Sequence, residues 1–213
     1  MISDKGYCIL KAFVSEDDLL EVMQHNNTDD KWVGELFQLN NIFGKILTQP
    51  ALSEINYGYL GQNHLTTYCI HNLHPANSGK DDYSVSDWHV DYPVHDYEEP
   101  YPEEIISIEG IIALDDFTIQ NGATQVMSGS HKSRSYPTNV SKSGYTSKRI
   151  TMRKGDLLLF DSKLWHRARK NSSHDCRSCL VFNFSRMDVE PKDNIKISKG
   201  CGFKKLNNRI ILR

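Results

Sequence analysis

The chain has 213 residues and no apolar run long enough to span a bilayer, which argues against a transmembrane helix. Its opening, MISDKGYCILKAFVSEDD, contains acidic groups and no long apolar stretch, unlike a signal or transit peptide; a soluble, cytoplasmic protein is the expectation. A disulfide framework is missing too. The five cysteines, Cys8, Cys69, Cys176, Cys179 and Cys201, are odd in number and scattered, as reduced thiols would be. Cys176 and Cys179 spell CxxC, but they fall in CRSCLVFNFS, which reads as a strand. Residues three apart on a strand point to opposite faces and cannot share a metal. The net charge of -2 provides no bulk field for nucleic acid or a membrane surface. There is no internal repeat and no low-complexity linker. One domain over residues 1–213 follows, large enough to bury a core without covalent staples.

Charge is scarce in sum yet segregated along the chain. Residues 81–104 hold nine carboxylates and no lysine or arginine, whereas residues 132–154 hold seven lysines or arginines and no carboxylate. Such runs are ordinarily solvated loops unless they border a pocket.

Ser15 and Asp18 have the spacing of a capping box, and Leu19, Leu20, Val22 and Met23 recur at helical spacing, so residues 15–25 are predicted to form an amphipathic helix. Trp32, Val33, Leu36, Phe37, Phe43 and Leu47 predict a second helix, closed by Pro50. From residue 65 onward the texture changes to short β-like runs, LTTYCIHNL, EIISIEGIIAL, ATQVM, RITM, DLLLF and CLVFNFS, separated by Gly, Asn, Asp and Ser. That pattern is mainly β and antiparallel, a sandwich or jelly roll. The N-terminal strand and helices occupy residues 1–60, the β core 65–186, and a C-terminal extension 187–213.

SDWHVDYP places His89 and Asp91 two positions apart, on one face if the segment is extended. HxD alone is a weak signal, since a hydrogen-bonded pair at a strand end has the same spelling. A third ligand is needed, and His166 ends KGDLLLFDSKLWH, where an apolar strand leads through a polar turn to a Trp-His pair. Two imidazoles and a carboxylate form the facial triad of non-haem Fe(II), with three positions left open. Zinc also takes three protein ligands in catalytic sites, so the triad does not decide between the metals. A cation for a cosubstrate carboxylate would decide. Arg177 shares a strand face with Cys179, Val181, Asn183 and Ser185, while Ser178, Leu180, Phe182 and Phe184 share the other. The greasy face should pack on the helices and turn Arg177 into the barrel. There it meets either a cosubstrate carboxylate or one from the protein.

Together WHVD at 88–91, NGATQVMSGSHK at 121–132, KGDLLLFDSKLWH at 154–166 and Arg177 resemble the phytanoyl-CoA dioxygenase family of Fe(II)/2-oxoglutarate oxygenases. The opening GYCILKAFVSEDDL is similar to that family's N-terminal strand and helix. The resemblance implies a double-stranded β-helix (jelly roll) with the N-terminal helices packed on one sheet. It implies Fe(II) held by His89, Asp91 and His166, and 2-oxoglutarate held through its distal carboxylate by Arg177. With O2, such an enzyme releases succinate and CO2; Asp91 fills the carboxylate position, which favours hydroxylation over halogenation. His131 in SGSHK matches the family's turn motif and is expected to be structural. Two features depart from the pattern. Where many members carry a hydroxyl residue to share the cosubstrate carboxylate, this chain has Ala168. The glutamine or lysine common on the strand before HxD is missing, with Thr67 or His71 in TTYCIHN as candidate substitutes.

The expected partner is a small-molecule substrate. The acidic run around His89 and Asp91 favours a cationic or zwitterionic one, unless the basic segment folds over the same mouth. A non-catalytic jelly-roll module that binds a metal or ligand is the competing function, because one fold carries many. The basic residues 132–154 would suit a nucleic-acid contact, but in a slightly acidic chain a lid or solvated loop is the preferred reading.

Overall fold

The computed structural model describes residues 2–25, 42–78, 88–138 and 140–189, together with the strands Phe203–Leu206 and Arg209–Leu212. A short helix α1 (Ile2–Lys5) leads through Gly6 into β1 (Tyr7–Leu10). Gly6 has φ +85°, and a Cβ there would press on Leu164 and His131, so the turn requires glycine twice over. Helix α2 (Glu16–His25) starts as the capping box predicts, the Asp18 N–H donating to Ser15 Oγ at 3.2 Å. Its buried stripe is narrower than the periodicity suggests: Leu19 and Val22 are buried, whereas Leu20 and Met23 are exposed.

Helix α3 (Ile42–Leu47) carries Phe43 and Leu47 into the core, while Trp32, Val33, Leu36 and Phe37 lie outside the described residues. Pro50 does not merely close that segment. It opens helix α4 (Pro50–Leu60), which the sequence reading passed over; at the first turn proline loses no hydrogen bond, and its fixed φ suits the helix.

The strands are β2 (His64–His74), β3 (Ser107–Ala113), β4 (Gln125–Ser128), β5 (Thr146–Arg149), β6 (Leu157–Asp161), β7 (His166–Arg167) and β8 (Arg177–Arg186). Four of them join β1 in a major sheet in the order β1-β6-β3-β8-β2, antiparallel throughout, and the other three form a minor sheet, β5-β4-β7. Two C-terminal strands, β9 (Phe203–Leu206) and β10 (Arg209–Leu212), pair with each other. The segment 132–154 is thus not simply a loop: Thr146–Arg149 is the edge strand of the minor sheet.

Alternation along the strands sorts side chains into two layers. Ile108 and Ile112 of β3, Leu157 and Leu159 of β6, and Leu180, Phe182 and Phe184 of β8 pack against Leu19, Val22, Phe43, Ile46, Leu52 and Leu60 of the helices. The intervening residues Ile111, Leu158, Phe160 and Cys179 meet Val126, Phe117 and Met152 between the sheets. Being buried on both faces, β6 has no polar alternation, which is why DLLLF reads as a continuous apolar run. Each fully buried Leu or Phe contributes about 2–3 kcal/mol of transfer free energy. Gly110 is the one gap in β3: a Cβ there would overlap the ring of Phe182, its cross-strand partner.

Candidate functional site

Asp91 and His166 come from different elements and are brought together by backbone pairing. His89 and His166 exchange N–H···O bonds of 3.0 and 3.1 Å in an isolated bridge, and the Asp91 N–H donates to the Ser162 carbonyl at 3.0 Å. One atom from each of His89, Asp91 and His166 lies within 4.8 Å of the others. His166 Nε2 is 3.2 Å from Asp91 Oδ2, and His89 Nε2 is 3.7 Å from Asp91 Oδ1.

The protonation of His166 can be read from its other nitrogen. Nδ1 lies 2.9 Å from the Leu164 carbonyl, which can only accept, so Nδ1 carries the proton. Burial holds the ring's pKa below its ordinary value, against the opposing pull of Asp91, so the ring is neutral near pH 7. Its Nε2 lone pair then faces a carboxylate oxygen at 3.2 Å. Two acceptors that close repel each other unless a cation joins them, and the donor set of two imidazoles and a carboxylate suits Fe(II) or Zn(II). The Phe160 ring packs against His166, with centroids 4.7 Å apart and planes tilted by 58°.

These residues line a cavity of about 330 Å³ with Ile70, Asn72, Glu109, Ile111, Thr124, Phe160, Ala168, Arg177, Cys179 and Val181. As strand parity predicts, Arg177, Cys179 and Val181 face this interior. Arg177 is 4% exposed, its guanidinium stacks 3.8 Å over the Phe117 ring, and its Nε and Nη1 have no hydrogen-bond partner. Among the described residues no carboxylate lies within ion-pair distance of it; the Asp115 carboxylate accepts from the Ser178 N–H instead. Burial lowers the Arg177 pKa, with Cys179 and Asp115 opposing. The Cys179 thiol is pushed by burial up to about 11 and stays protonated, so it does not neutralise the guanidinium. A buried guanidinium with two orphaned donors fits an anion that enters the cavity, such as the distal carboxylate of 2-oxoglutarate.

Thr67 lies on β2 at the register shift between Thr66 and Tyr68, and its side chain is outside the described residues. His71 is corrected outright as a cosubstrate contact. It has the parity of Cys69, away from the cavity-lining Ile70 and Asn72, and its Nε2 bonds Ser178 Oγ at 2.5 Å. Thr124 was missed. It is buried and lines the cavity together with Ala168 and Arg177, so a hydroxyl is present where position 168 has none. The signal was in NGATQVMSGSHK, but which of its residues faces inward depends on the pairing of β4 with β7. His131 is buried in its turn, its ring nitrogen 3.3 Å from the Ser3 carbonyl, a structural place as expected.

The acidic run does not form an unopposed field. Asp81, Asp82 and Asp87 lie outside the described residues, and the basic segment reaches two of the others, Glu99 and Glu103. Glu99 accepts from the Tyr136 N–H at 2.7 Å, Arg134 lies 4.0 Å from Glu103, and the buried Lys163 donates to the carbonyls of Pro102, Glu103 and Glu104. The Arg134 guanidinium thus offsets part of the acidic run, at Glu103.

Dioxygenase aneA of Aspergillus aculeatus is 29% identical over 206 residues, 82% of this chain and 66% of the relative. The chain spans less than two thirds of the length of the curated relatives it matches, from 26% to 66%. Among solved structures, the epimerase SnoN in complex with Fe3+, alpha ketoglutarate and nogalamycin RO superposes with a TM-score of 0.70 at 14% identity, covering 100% of this chain and 96% of that one. The apoform of EctD from S. alaskensis gives 0.72 at 16% identity, covering 93% and 79%. At such identities the likeness speaks for the fold, a jelly roll. The family model described as phytanoyl-CoA dioxygenase (PhyH) matches residues 10–179, and the chain belongs to that family.

Proposed function

We propose that this protein is an Fe(II)- and 2-oxoglutarate-dependent oxygenase that hydroxylates a C–H bond of a small molecule, with release of succinate and CO2. The observation that carries the reading is the sharing of one cavity by the His89-Asp91-His166 cluster and the orphaned guanidinium of Arg177. A plain metal-binding module has no use for a desolvated arginine beside its ligands. His89, Asp91 and His166 would hold iron, and Arg177 with Thr124 would hold the distal carboxylate of 2-oxoglutarate.

Iron and 2-oxoglutarate, when bound, supply the oxidative chemistry with O2. The chain supplies placement. The Leu164 carbonyl keeps the His166 proton on Nδ1, which leaves the Nε2 lone pair free to hold a metal, and Phe160 packs against the ring. Arg177 offers two unspent donors, so a carboxylate can be seated without breaking a protein bond. Ile70, Ile111, Phe160 and Val181 are the large apolar part of the cavity lining and would limit water around a bound cosubstrate.

The test is succinate release from 2-oxoglutarate in the presence of Fe(II), screened against metabolite pools, with product masses recorded. Gain of one oxygen atom supports hydroxylation; a product of unchanged mass would indicate an epimerase outcome, as the name of SnoN describes for that protein. His89→Ala, Asp91→Ala and His166→Ala should each abolish turnover and weaken Fe(II) binding. Intact iron affinity in all three would refute the assignment.

A further inference from the structure

Strand β8 carries a polar group on the Arg177 face that packing does not explain. Asn183 is fully buried, and its Nδ2 donates to Glu109 Oε2 at 2.9 Å, to the Tyr92 carbonyl at 3.2 Å and to Ser162 Oγ at 3.3 Å. Its Oδ1 accepts from Ser185 Oγ at 2.8 Å. Glu109, Ser162 and Ser185 are buried as well, and Glu109 pairs with Phe160 across β3 and β6. A polar cluster at such a place is costly unless every member is bonded, and an apolar set would hold the sheet with less demand on geometry.

The bonds of this cluster converge on the segment that carries Asp91. That segment has no strand of its own: it is held by the His89–His166 bridge and the bond from the Asp91 N–H to the Ser162 carbonyl, and then turns, the His95 N–H donating back to the Asp91 carbonyl at 3.2 Å. Asn183 grips it on both sides of Asp91. On one side it holds the carbonyl of Tyr92, the next residue; on the other it holds the hydroxyl of Ser162, whose carbonyl receives the Asp91 N–H.

Resting on the proposed iron site, we infer that Asn183 is a positioning residue. It locks the Asp91-Tyr92 turn to β8 and thereby sets the direction of the Asp91 carboxylate. Because Arg177 lies on the same strand face, one rigid element fixes the span between the metal and the group that receives the distal carboxylate. A diacid bound at both ends tolerates an error of only about 0.5 Å in that span.

The test uses the metal-free chain titrated with Co(II), read by calorimetry and by the Co(II) d–d absorption. Asn183→Ala should weaken Co(II) binding by about 10- to 100-fold, the usual effect of losing an outer-shell partner, and alter the d–d spectrum. Asn56→Ala removes another buried asparagine, in α4 outside the cavity, and should leave both readouts at wild-type values whatever it does to stability. If Asn183→Ala does not fold, Ser162→Ala decides: it removes one arm of the grip and should cost about 3- to 10-fold, as one hydrogen bond does. Unchanged affinity and spectrum in the folded variant, or a loss equalled by Asn56→Ala, overturns the role of Asn183 alone. A wild-type chain that fails to bind Co(II), or a His89→Ala chain that binds it equally well, overturns the iron site and the inference with it.

Discussion

Replacing Arg177 by methionine should move two quantities in opposite directions. In the metal-free protein the guanidinium is 4% exposed with Nε and Nη1 unbonded, so it is a desolvated charge without a partner. Exchanging buried ionic groups for apolar ones of similar volume is neutral or stabilising by about 1–4 kcal/mol. The stacking on Phe117 offsets part of that, about 0.5–2 kcal/mol. Arg177→Met is therefore expected to leave the stability of the metal-free chain unchanged or to raise it by up to about 3 kcal/mol. Binding of 2-oxoglutarate should weaken by about 2–5 kcal/mol, roughly 30- to 4,000-fold, because its distal carboxylate would be buried against a thioether. Arg177→Lys should fall between, since a point charge cannot reproduce the planar fork. Urea unfolding of the metal-free protein measures the first effect, and calorimetric titration of 2-oxoglutarate into Mn(II)-loaded protein the second. A variant destabilised by more than about 2 kcal/mol that still binds 2-oxoglutarate normally would refute the reasoning and make Arg177 a structural residue.

Thr124→Val should weaken 2-oxoglutarate by about 3- to 10-fold, the loss of one hydrogen bond, while Ala168→Ser should tighten it less than that because Thr124 already serves; a large gain from Ala168→Ser alone would contradict the assignment of Thr124. Gly110→Ala should destabilise the fold by about 1–3 kcal/mol or more, since the new methyl overlaps the Phe182 ring, and the urea midpoint reports it. Acidification should destabilise the metal-free protein. Burial depresses the pKa of His64, His74, His131 and His166 below the ordinary 6.5, so below that pH the unfolded chain takes up protons that the folded chain refuses. Asp161, raised by burial to about 6, works the other way between that value and 3.8, one group against four. Urea midpoints falling between about pH 7 and 5.5 support this, and a rise on acidification would count against it.

Much of the site was legible because it depends on periods of two and on a few joint spacings. His89 and Asp91 share a face, and the alternation of CRSCLVFNFS separates Arg177 and Cys179 from Leu180, Phe182 and Phe184, all as the structure has them. His71 was misplaced because a choice between neighbouring residues on a strand needs the absolute register, and β2 shifts register between Thr66 and Tyr68. Pro50 was read as a stop because proline ends one helix and begins the next with equal ease, and only the packing of Leu52 and Leu60 on the sheet tells which.

By itself the sequence determined the β-rich core, the three candidate ligands, the inward arginine and the family pattern, since each is written in local periodicity or in residue types whose chemistry is narrow. The tertiary structure alone decided what stands beside them. It set Thr124 near the gap at Ala168, left Arg177 without a protein carboxylate, tied Asn183 to the turn after Asp91, and brought the basic segment against the acidic one. Those are contacts between residues far apart in the chain, and strand order and register, which no local pattern encodes, determine which of them meet.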